Sequence, residues 1–140
     1  MESVTEIAEK MVRDFVEQRN EDVAASYRFP AVVFYGPDVY VLTDKVDFLS
    51  KVKAYRSVFG AKGLERITSV VQEVQVSKHE RLDFQVRNAY YSKDDVGLTE
   101  AVIRYFLEER DGQPKIRMVE YLVMPFDHSP EKSDLFAMVH

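Results

Sequence analysis

The order in which hydrophobic periods follow one another constrains this chain most. Ser3 and Glu6 have the spacing of a capping box, and Val4, Ile7, Ala8, Met11, Val12 and Phe15 then recur at steps of three and four. Such a stripe is one face of a helix, here expected to end near Asn20. Asn20 caps a second, short helix through Val23, Ala24 and Tyr27, and Pro30 ends it by disfavouring helical geometry at Phe29. Residues 31–35 and 38–43 are rich in Val, Phe and Tyr and flank Gly36-Pro37-Asp38, which predicts a hairpin. Thr43 or Asp44 caps a third helix, with Val46, Leu49, Val52, Tyr55 or Arg56, and Phe59 as its buried face and Gly60 and Gly63 as its stop. From Leu64 onward the period is two, which predicts strands over about 65–79, 81–92, 98–109 and 115–125. This order implies an α+β fold: a curved antiparallel sheet with three N-terminal helices over its concave face, shaped as a cone with a pocket.

The last hairpin carries a register. Asp111-Gly112 suits a two-residue turn because both positions tolerate positive φ. Arg110 then faces Gln113, Leu107 faces Ile116 and Ile103 faces Glu120. In that ladder Ala101, Ile103, Tyr105 and Leu107 share the inner face with Ile116, Met118, Glu120 and Leu122. Leu82, Phe84, Val86, Asn88 and Tyr90 point inward from the second long strand. The outer face carries Val102, Phe106, Val119, Tyr121 and Tyr91, too much apolar surface for water, which predicts a homodimer through the outer sheet face. The alternative cover is the C-terminal segment 135–139. Residues 127–134 are polar and contain proline, so the chain divides into a domain over 1–126 and a tail over 127–140.

Composition excludes several function classes. The net charge is −5, with no Lys/Arg run, so no nucleic-acid partner is expected. No cysteine is present, which removes disulfides, thiolate metal sites and cysteine nucleophiles. The start Met1-Glu2-Ser3-Val4 lacks the basic and apolar parts of a signal peptide, and no apolar run reaches the roughly 18 residues of a membrane helix. A cytoplasmic protein with no membrane partner is the expectation. No phosphate loop, nucleophile elbow or cofactor motif occurs, so no cofactor is expected. The acidic pairs Asp94-Asp95 and Glu108-Glu109 flank turns and do not converge, so no metal site is expected.

Glu120 is the sharpest chemical candidate. A carboxylate between Met118 and Leu122 on an apolar inner face is suited to proton transfer. The competing reading is a structural bond to Tyr or Asn neighbours. Tyr105, Tyr90 and Asn88 line the same expected cavity, where hydroxyls and an amide orient a carbonyl-bearing ligand. Tyr27, Tyr35 and Tyr40 cluster near the hairpin at the expected mouth. Eight tyrosines and nine phenylalanines fit an aromatic pocket and also fit an ordinary core.

The helix pair ending in Ala25-Ser26-Tyr27-Arg28-Phe29-Pro30, the hairpin, the helix from Asp44 and four long strands resemble the nuclear transport factor 2-like superfamily over residues 4–125. That superfamily is also called SnoaL-like or ketosteroid-isomerase-like. The resemblance implies a cystatin-like cone. It also implies positions to check. Where the isomerases carry a tyrosine, a base aspartate and an aspartic acid, this chain has Phe15, Tyr35, and Ile103 or Arg104 by alignment. The scytalone-dehydratase-like pattern uses inward histidines, and the three here are His79, His128 and His140. Glu120 resembles the strand carboxylates of the limonene-epoxide-hydrolase branch. Two functions follow as expectations. One is a pocket for a small hydrophobic ligand, with lyase or isomerase chemistry on a carbonyl compound through Glu120 and Tyr105. The other is a non-catalytic dimeric interaction module with a filled pocket.

Overall fold

The structure, a computed structural model, describes residues 3–77 and 81–126. The expected tail over 127–140, with its segment 135–139, lies outside the described residues, as do the three histidines. Helix α1 (Val4–Val16) begins at Ser3, whose hydroxyl accepts from the Glu6 amide at 3.1 Å. Helix α2 (Asn20–Ala25) is shorter than expected, because Tyr27 already opens strand β1 (Tyr27–Tyr35). The Phe29-Pro30 peptide within β1 is cis. Gly36 and Pro37 turn the chain into β2 (Asp38–Leu42), with Tyr35 opposite Asp38. Only glycine suits that corner: Gly36 has φ +61°, and a Cβ there would meet Met124 Sδ at 2.9 Å.

Helix α3 (Lys45–Ala61) is capped by Asp44, whose carboxylate accepts from the Asp47 amide at 2.8 Å. Its buried stripe is Phe48, Val52, Tyr55 and Phe59, joined by Lys51 and Arg56. Val46, expected on that stripe, is 78 % exposed, since the apolar face is set by Phe48. Phe59 is fully buried and packs its ring on Phe15, Tyr55, Tyr90 and Phe126, with centroid distances of 5.8, 5.2, 4.9 and 5.3 Å. Arg56 reaches from α3 to the end of α1, donating to the carbonyls of Phe15 at 3.1 Å and Val16 at 3.0 Å. A cation on the last carbonyls satisfies acceptors that have no partner within the helix.

The long strands are β3 (Leu64–Val76), β4 (Arg81–Ser92), β5 (Gly97–Arg110) and β6 (Gln113–Val123). They form one sheet in the order β2-β1-β6-β5-β4-β3. The sheet is mixed and not wholly antiparallel as expected, because β1 pairs with β6 in parallel. Phe84, Val86, Asn88 and Tyr90 are buried and Leu82 partly so, as their alternation predicts.

The turn at Asp111-Gly112 forms with positive φ at both residues, and the expected pairing holds from Arg110–Gln113 to Leu107–Ile116. It then slips by one residue. Phe106 faces Met118, Tyr105 faces Val119, Arg104 faces Glu120 and Ile103 faces Tyr121. Arg117 is the extra residue of a β-bulge, which reverses the faces from Met118 to Tyr121, before a second slip between Ile103 and Val102. Val119 and Tyr121 therefore turn inward. Met118, Glu120 and Leu122 turn outward, against the sequence expectation, and Leu122 is 48 % exposed. The bulge lies beside the irregular stretch of β1, where Tyr27 pairs with Ile116 and Val32 already pairs with Met118.

Replacing Arg56 by Ala is expected to lower the unfolding free energy by about 2–3 kcal/mol, the range for charged hydrogen bonds to buried acceptors. A urea titration checks this; a loss below about 0.5 kcal/mol would show that the α1–α3 tie is not held by this side chain.

Candidate functional site

Between the helices and the inner sheet face lies a cavity of about 100 Å³. Met11, Val12 and Phe15 reach it from α1, and Phe48, Lys51, Val52 and Tyr55 from α3. The sheet contributes Tyr27 and Val33 from β1, Ile67 from β3, Asn88 and Tyr90 from β4, Ile103 and Tyr105 from β5, and Val119 and Tyr121 from β6. Each sheet residue is at an inward position of its strand, so the alternation that builds the core also builds this wall.

Four of the expected site residues, Tyr27, Asn88, Tyr90 and Tyr105, stand on the wall. Tyr35 is buried one layer behind it, with its ring 4.7 Å from that of Tyr121. Tyr40, opposite Val33 in the hairpin, packs on the core and is not part of the wall. Glu120 is a correction. The bulge at Arg117 sets it on the outer face opposite Arg104 and beside Phe34, away from the cavity. The expected route for proton transfer through Glu120 inside the cone thus has no geometric basis.

The sequence analysis puts Val119 on the outer face, whereas it stands on the wall. An unbulged register places Tyr121 outside. Tyr55 is one of two alternatives for the α3 face. Lys51 looks like a surface residue by type, although it lies three residues after Phe48 and four before Tyr55, a helical spacing that puts it on the apolar stripe. The Lys51 side chain is 7 % exposed. Its ammonium donates to Asp47 Oδ2 at 3.2 Å and to the Val41 carbonyl at 3.3 Å, tying α3 to β2. Asp47 also accepts from the amide and hydroxyl of Thr43 at 2.9 and 3.2 Å. Burial alone would raise the Asp47 carboxyl, but the bonds from Thr43 and Lys51 outweigh it and hold the group below its usual range.

The tyrosines form a connected group. The hydroxyls of Tyr55 and Tyr121 lie 3.2 Å apart. Burial pushes the hydroxyls of Tyr27, Tyr35, Tyr55, Tyr105 and Tyr121 upward. It pushes Tyr90 up to about 12, against a bond from the Asn88 side chain that lowers it. These hydroxyls stay protonated at neutral pH and act as hydrogen-bond donors, not as bases. Among the described residues, no group of three or more His, Asp or Glu is placed to hold a metal ion, and no helix is long and apolar enough to cross a membrane.

A raised phenol pKa has a signed consequence. The unfolded chain ionises its tyrosines near the ordinary value of 10.0, the folded chain above it. Their contribution to stability is therefore complete below about pH 10 and is lost as the pH climbs through the folded values. At about pH 11 the native protein is expected to show far less phenolate absorbance than the denatured chain. Equal absorbance with native circular dichroism would contradict the burial of these hydroxyls.

No protein-family model matches the chain, and neither does any curated protein sequence. Solved structures do match. Aln2 from a Streptomyces species superposes with a TM-score of 0.68 at 15% identity, covering 86% of this chain and 87% of that one. A Nostoc punctiforme protein of unknown function with a cystatin-like fold gives 0.68 at 10% identity, covering 88% and 90%. An NTF2-like protein with a cystatin-like fold from Novosphingobium aromaticivorans gives 0.66 at 7% identity, covering 94% and 85%. With its three helices and six-stranded mixed sheet, the chain has the cystatin-like α+β fold of the nuclear transport factor 2-like proteins.

Proposed function

We propose that this chain binds a small hydrophobic molecule in the cavity between its helices and its sheet. The observation that carries this reading is the wall itself: apolar side chains with a few protonated tyrosine hydroxyls, one amide and one lysine. Binding sites for small molecules combine an apolar lining with a few placed polar groups in this way. The cavity of about 100 Å³ lies below the roughly 300–1,000 Å³ of ordinary ligand pockets, which sets the ligand at single-ring size. Donors on Tyr90 and Tyr105 suit an oxygen-bearing ligand, and Lys51 is the one cation among the lining residues, with no lining carboxylate. A cationic ligand is therefore disfavoured.

Ligand-observed NMR with neutral single-ring compounds tests this reading. Wild type is expected to bind members of such a set. Val119→Phe, which fills the cavity from β6, is expected to lose that binding while keeping its fold by circular dichroism. Binding that survives the filled cavity, or no binding by wild type, would sink the proposal.

A second reading, pairing of two copies through the outer sheet face, is favoured by a specific surface. The expected patch changes, because Val119 and Tyr121 turn inward and Val102 is buried. In their place Phe34, Val39, Val41 and Leu122 are 36–57 % exposed on β1, β2 and β6. The β3–β5 half of the same face carries a polar network: Arg104 bonds Asp83, Glu73 and Gln85, and Gln85 donates to Gln72. An apolar strip bordered by a charged network fits the core and rim of an interface. Sedimentation is expected to give a dimer for wild type and a monomer for Phe34→Glu; a monomeric wild type at high micromolar concentration would refute the pairing.

A further inference from the structure

The amide of Asn88 narrows the ligand class. Asn88 sits mid-way along β4, 3 % exposed, on the cavity wall. Its amide acts on the Tyr90 hydroxyl, two residues along the same face, in the sense of a donor, since it lowers that group's pKa. Its Oδ1 is buried and has no hydrogen-bond partner among the described residues. An unpaired buried acceptor is costly, and nearly all such atoms in native proteins have a partner. The neighbours supply none. Across β5 the partner residue is Ala101, and along β4 the inward neighbour on the other side is Val86. Across β3 stands Ser69, whose Oγ is also buried without a partner.

We infer that the ligand presents a neutral hydroxyl or amide N–H donor to Asn88 Oδ1, so the molecule taken is a ring-sized phenol, alcohol or lactam and not a pure hydrocarbon or a simple ketone. The inference rests on the small-molecule reading above and reverses the role given to Asn88 by sequence, from donor toward a ligand carbonyl to acceptor from a ligand hydroxyl. An ammonium donor is disfavoured, because no carboxylate lines the wall. A site with a buried polar group selects strongly for the ligand that pairs it, because the analogue without the donor leaves that group unsatisfied.

Phenol and toluene form the test pair, having the same ring and nearly the same shape with the hydroxyl exchanged for a methyl. Calorimetry or NMR titration gives both dissociation constants for wild type and for Asn88→Leu. The preference for phenol over toluene is expected to fall about tenfold or more in the variant, the loss of one buried hydrogen bond. A preference unchanged by the substitution overturns the inference while leaving the small-molecule reading intact. Failure of both compounds and of other single-ring compounds to bind wild type defeats the small-molecule reading itself. A crystal structure of wild type soaked with phenol serves where Asn88→Leu does not fold. A hydroxyl within hydrogen-bond distance of Asn88 Oδ1 supports the inference. A water bridging Ser69 and Asn88, with the phenol hydroxyl elsewhere, overturns it.

Discussion

The one-residue bulge at Arg117 is the constraint on which the interior of this protein depends. Before it, β5 and β6 pair in the register set by the Asp111-Gly112 turn. After it, Val119 and Tyr121 enter the core and Glu120 leaves. A side-chain period of two makes a single inserted residue a complete exchange of faces. Without the bulge a carboxylate would stand in the cavity and two large apolar side chains would face outward. With it, the inner wall contributed by β6 is valine and tyrosine.

That exchange completes an aromatic layer begun by the helices. Helix α3 brings Phe48, Tyr55 and Phe59 against Tyr27, Tyr121 and Tyr90, with centroid distances of 4.7 Å for Tyr27–Phe48 and 4.9 Å for Phe59–Tyr90. Rings bury much area with little rotamer freedom, and each pair adds about 0.5–1.5 kcal/mol beyond area. Tyrosine in place of phenylalanine at several of these positions leaves hydroxyls inside. Those of Tyr55 and Tyr121 meet at 3.2 Å. The other tyrosine hydroxyls of the wall are held in neutral form by burial.

Charged residues in this protein mostly hold elements together. Arg56 ties α3 to the end of α1, and Lys51 ties α3 to β2 through the Val41 carbonyl. Arg104 gathers acceptors from β3 and β4 on the outer face. The charged network thereby lies on β3–β5 and the exposed strip of Phe34, Val39, Val41 and Leu122 on β1, β2 and β6, which are neighbours through the parallel pairing of β1 with β6.

Much of the fold was legible in the chain because its signals are local. The cap at Ser3, the turn at Asp111-Gly112 and the inward set Phe84, Val86, Asn88 and Tyr90 each depend on a few adjacent residues, and each stands where the periodicity puts it. Of the site, Tyr27, Asn88, Tyr90 and Tyr105 were legible for the same reason. Lys51 was readable from its helical spacing but not from its residue type. Val119, Tyr121 and Glu120 were not readable, because a bulge leaves no fixed mark in the residues that form it. The sequence by itself determined the elements, their order and the apolar face of most of them, since those follow from side-chain period and turn stereochemistry. Only the tertiary structure decided the parallel pairing of β1 with β6, the slip at Arg117 and hence which side chains meet in the cavity, since these depend on contacts between strands from opposite ends of the chain.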